Sequence, residues 1–185
     1  MLSEFWDWLA KLSPGSAGFI GTLTGSTLGL IAILIGALFN ARLNRLRDDA
    51  IREADRIATA SALYAELNGV HRAFVENAES LARRPPDPDG GFMIPGPSVK
   101  IFPELISKLG LLKSDTIISV MTAYLLTEQY LDGLIHLGGM LQANMPEGRQ
   151  VVYLDAGHAD TVRRMNEVKA VPIKAAMDSL VPYLK

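Results

Sequence analysis

The chain has 185 residues, no cysteine and a formal net charge of −2. Because there is no cysteine, disulfides, thiol catalysis and thiolate metal sites are excluded. The nearly neutral charge, with no basic patch interleaved with aromatic residues, disfavours nucleic-acid binding.

Residues 1–16 contain both tryptophans of the chain, Trp6 and Trp8. An indole ring is apolar, but its N–H needs a polar partner, so tryptophan favours the headgroup zone of a bilayer. We therefore expect residues 1–16 to form a short interfacial helix that lies on the membrane surface.

Residues 17–41 are uncharged and mostly apolar. A helix rises 1.5 Å per residue, so about 20 residues cross a hydrocarbon core about 30 Å thick. Signal peptides begin with basic residues, whereas Glu4 and Asp7 precede this stretch. These observations predict a retained transmembrane helix over residues 17–41.

Three arginines, Arg42, Arg45 and Arg47, follow the predicted span directly. Positive charge is retained on the cytoplasmic side of a membrane and attracts anionic headgroups. We therefore expect a single-pass protein of the bacterial inner membrane, with its N-terminus outside and its C-terminal domain cytoplasmic.

Small residues recur along one side of the predicted span, in the manner of a glycine zipper. We call this side the glycine face; it comprises Gly21, Gly25, Gly29, Ala32 and Gly36. Small side chains let membrane helices approach closely and pack. The glycine face thus predicts a helix–helix contact, beside which Thr22 and Ser26 could hydrogen-bond across helices.

Apolar residues continue beyond the span with the 3.5-residue repeat of a coiled coil. No proline interrupts residues 17–82, so the repeat predicts one long helix, and we assign residues 42–83 to its cytoplasmic continuation. Its expected contact residues are Leu43, Leu46, Ile57, Tyr64, Leu67 and Phe74. The partner is either the same helix of another copy or the chain's own C-terminal helices. The opposite side carries residues expected to be solvated or ion-paired, namely Arg45, Asp49, Arg52, Asp55, Arg56 and Glu66.

The sequence of the C-terminal half predicts a Pro/Gly-rich connector over residues 84–102 and a helical bundle over residues 103–185. Within the bundle, a helix over residues 115–141 is apolar around most of its circumference and should be central and buried. Residues 151–154 are expected to be an extended connector, and residues 160–184 a final helix with Val168 on its apolar side. Residues 144–148 are expected to form a loop.

The expected fold is all-α: one transmembrane helix continuous with a long amphipathic helix, plus a small cytoplasmic helical bundle. This layout, with the segment Lys108-Leu109-Gly110-Leu111-Leu112 and an apolar helix containing Tyr124, resembles a loose class of bacterial single-span membrane proteins. The resemblance implies no activity.

The sequence contains no catalytic, phosphate-binding or metal-ligand motif, so we expect no enzyme activity and no cofactor. The first functional hypothesis is an assembly or scaffold protein whose partners are the lipid bilayer and either further copies or a larger membrane complex. The alternative is a homo-oligomeric channel or pore. A sensor that transmits motion along the long helix is a third interpretation.

Overall fold

The computed structural model describes Trp8 and residues 14–83, 86–87, 90–142 and 150–184. The chain divides into two compact units, Met1–Ile51 and Arg52–Lys185. Among the described residues the fold is mostly helical, as predicted, and includes one small antiparallel sheet.

The first helix, α1, extends from Pro14 to Arg83. Proline suits the first position of a helix because its φ is already helical and its missing N–H would have no helical partner there. From Gly18 onward, α1 is long and apolar enough to cross a membrane. One such helix is present in the described part of the chain.

Two further long helices, α3 and α4, follow α1 and are connected by short elements. In chain order the elements are β1 (Gly91–Pro95), α2 (Phe102–Leu105), a 3-10 helix (Ile106–Leu111), α3 (Ser114–His136), β2 (Met140–Gln142), β3 (Val151–Asp155), a 3-10 helix (Ala156–His158), α4 (Ala159–Leu180) and a 3-10 helix (Val181–Tyr183). The predicted loop over residues 144–148 lies outside the described residues.

The sheet is the main departure from the expected all-helical bundle. Its strands are antiparallel in the order β1-β3-β2, and Val152 of β3 pairs with Ile94 of β1 and Leu141 of β2. Residues 151–155 therefore form the central strand, where an extended connector was expected. The prediction was wrong because β1 lies in a segment predicted to be an irregular connector, and β2 begins within the predicted helix over residues 115–141, which ends at His136.

The second unit surrounds one hydrophobic core. Long helices α1, α3 and α4 each bury one side in it, and the inner face of the sheet covers it. Fully buried side chains include Leu63, Leu67, Phe74, Val120, Tyr124, Tyr130, Leu134, Val152, Leu154, Val162, Ile173 and Leu180.

Helix α3 is buried on one side only, contrary to the expectation of a central helix. Ile118, Met121 and Leu125 are exposed, as is Val168 of α4. The apolar residues of α3 correctly indicate a helix, but their number overstates its burial, because no described element covers the outer side.

The turn after α3 brings backbone close to backbone. Gly138 has a φ of +89°, which favours glycine, and the Gly139 N–H donates to the Leu134 carbonyl at 3.0 Å. A Cβ at Gly139 would lie 2.4 Å from Val152 Cγ1 and 2.6 Å from that carbonyl oxygen. The sheet thus meets the end of α3 at a point that only glycine fits.

We expect Gly139→Ala to lower the free energy of unfolding by about 1–3 kcal/mol, because the backbone neighbour cannot move away. Gly157→Ala is the matched control, since a Cβ there would meet nothing within 4 Å. Urea unfolding in detergent, followed by circular dichroism, measures both. Equal stability of the two variants would contradict the close approach.

Candidate functional site

The glycine face is open in the structure. A Cβ built on Gly21, Gly25, Gly29 or Gly36 would meet no atom within 4 Å outside the helix's own backbone. Ala32 is likewise exposed. Helix α1 therefore presents a smooth strip of backbone against which another helix could pack closely.

Hydroxyl groups of the first unit bond within their own helix. Thr22 Oγ1 donates to the Gly18 carbonyl at 3.0 Å, and Ser26 Oγ donates to the Thr22 carbonyl at 2.8 Å. Thr27 Oγ1 donates to the Leu23 carbonyl, also at 2.8 Å. Their donor protons are satisfied without the interhelical bonds that the sequence suggested for Thr22 and Ser26.

The predicted membrane-surface residues are exposed where the structure describes them. Arg42, Arg45 and Arg47 are all exposed on α1. Trp8 is helical and exposed, whereas Trp6 and the rest of the expected interfacial helix before Pro14 lie outside the described residues.

The predicted contact residues of the long helix separate into two groups. Leu43 and Leu46 are exposed, whereas Leu67 and Phe74 are fully buried in the chain's own core. Ile57 and Tyr64 are half-buried. In the second unit, the predicted contact side of α1 thus packs into the chain's own core.

A second strip of small residues lies on the part of α1 that belongs to the second unit. We call it the alanine face; it comprises Ala54, Ala58, Ser61, Ala65 and Gly69, all of which are exposed. It lies opposite the buried Leu63 and Leu67, where charged residues are usual. The alanine face was not predicted, although its residues recur in the sequence at spacings of three and four.

The carboxylate of Glu66 forms the most heavily bonded polar site of the second unit's described residues. Its Oε1 accepts from the backbone N–H groups of Lys100 and Ile101, both at 2.6 Å. Its Oε2 accepts from the Phe102 N–H at 2.9 Å and from the Tyr124 hydroxyl at 2.8 Å. Glu66, expected to be solvated or ion-paired, instead anchors the connector and α3 to α1. We call this site the Glu66 anchor.

Aromatic packing surrounds the Glu66 anchor. The rings of Phe102 and Tyr124 stack with centroids 3.9 Å apart and an angle of 15° between their planes. Burial raises the pKa of Tyr124, and its hydrogen bond to the Glu66 carboxylate raises it further. Tyr124 is therefore held neutral as a donor, which suits a structural role.

A second polar contact lies inside the core. The Tyr130 hydroxyl donates to Asn166 Oδ1 at 2.9 Å, and Asn166 Nδ2 donates to the Val162 carbonyl at 2.8 Å. The Tyr130 ring also meets Phe74 edge-on, with centroids 4.7 Å apart. These contacts join α1, α3 and α4 and leave the buried amide satisfied.

The described residues contain no group of three or more His, Asp or Glu side chains that could hold a metal ion. Comparisons with known protein families, with curated proteins and with solved structures give no match. Among the described residues, the glycine face of α1 and the exposed apolar side of α3 are surfaces that a partner could contact.

We expect Glu66→Gln to lower the free energy of unfolding by about 1–3 kcal/mol, since an amide places a donor where backbone donors already point. Glu79→Gln is the control, because Glu79 is exposed and pairs with exposed Arg83 on the same helix; such a pair contributes about 0.5 kcal/mol. Urea unfolding compares them. If both variants lose the same stability, the Glu66 anchor is not structural.

We expect the stability of the second unit to fall as pH rises from 10 to about 12. Burial raises the pKa of Tyr130 to about 12, so the folded state keeps its proton after the unfolded tyrosine has ionised. Full ionisation removes about 3 kcal/mol. At neutral pH, Tyr130→Phe should lower the free energy of unfolding by about 1 kcal/mol. Between pH 10 and about 12, its free energy of unfolding should fall less steeply than that of the wild type. Tyr153→Phe is the control and should fall as steeply as the wild type. If the free energy of unfolding of Tyr130→Phe falls with pH as steeply as that of the wild type, the alkaline loss of stability does not come from Tyr130.

Proposed function

We propose that the chain is a non-enzymatic, membrane-anchored assembly protein that self-associates through the glycine face. The observation that carries the proposal is the openness of that face, where no described atom outside the local helix backbone lies within 4 Å of the added Cβ atoms. Lipid tails are as apolar as leucine, so burial alone does not drive membrane helices together. Close backbone packing does, and small residues permit it.

The proposed orientation places the second unit in the cytoplasm of a bacterial cell and the short N-terminal segment outside. Support comes from Arg42, Arg45 and Arg47, all exposed, because arginine next to a span is retained on the cytoplasmic side. These arginines also suit contact with anionic headgroups.

The distribution of polar side chains in the predicted span supports assembly over conduction. A pore lining offers polar groups to ions, whereas the hydroxyl side chains Thr22, Thr24, Ser26 and Thr27 all lie before Leu28. The stretch from Leu28 to Phe39 adds only apolar side chains and glycine. The channel remains the alternative prediction from the sequence.

Bulk on the glycine face tests the proposal. We expect Gly25→Ile and Gly29→Ile to shift native mass spectra of the detergent-purified protein from oligomer to monomer, because a branched side chain separates the backbones. Thr27→Ile adds a similar residue to the opposite side of the helix and should leave the oligomer intact.

Two results would overturn the proposal. A wild-type protein that is strictly monomeric, with no co-purifying partner, would remove self-association altogether. Oligomers of Gly25→Ile and Gly29→Ile that match the wild type would show that the glycine face is not the contact.

A further inference from the structure

We draw no further inference here: the strongest candidate, the groove of about 770 Å³ between α1 and the connector at Pro95–Ile101, carries none because nothing in the structure shows what covers it.

Discussion

One carboxylate organises the second unit. The Glu66 anchor satisfies the backbone N–H groups of three consecutive residues, Lys100 to Phe102, and the hydroxyl of Tyr124. Of the three N–H groups, that of Phe102 is partly buried, and a buried donor left unpaired costs about 1–3 kcal/mol. The bond from Tyr124 to Glu66 also sets the position of α3 along α1.

Within the second unit, the two opposite sides of helix α1 differ in character. Its buried side, with Leu63, Leu67 and Phe74, contributes to the core. The alanine face on the other side contributes no large side chain to any contact. A helix that only covered a core would normally expose charged residues there, since they add solubility and local ion pairs. Flatness on the solvent side is therefore the feature of α1 that packing within the chain does not explain.

The long helix and both later helices could be predicted from apolar periodicity, because each is long and its pattern is local. The sheet could not, since β3 pairs with β1 and β2 from distant or short segments. The 3.5-residue repeat also mispredicts which residues of α1 are buried, because a straight helix departs from that repeat by about 20° per heptad. Consequently Leu63 and Val70 are buried although the repeat excludes them, while Ile57 and Tyr64 are only half-buried.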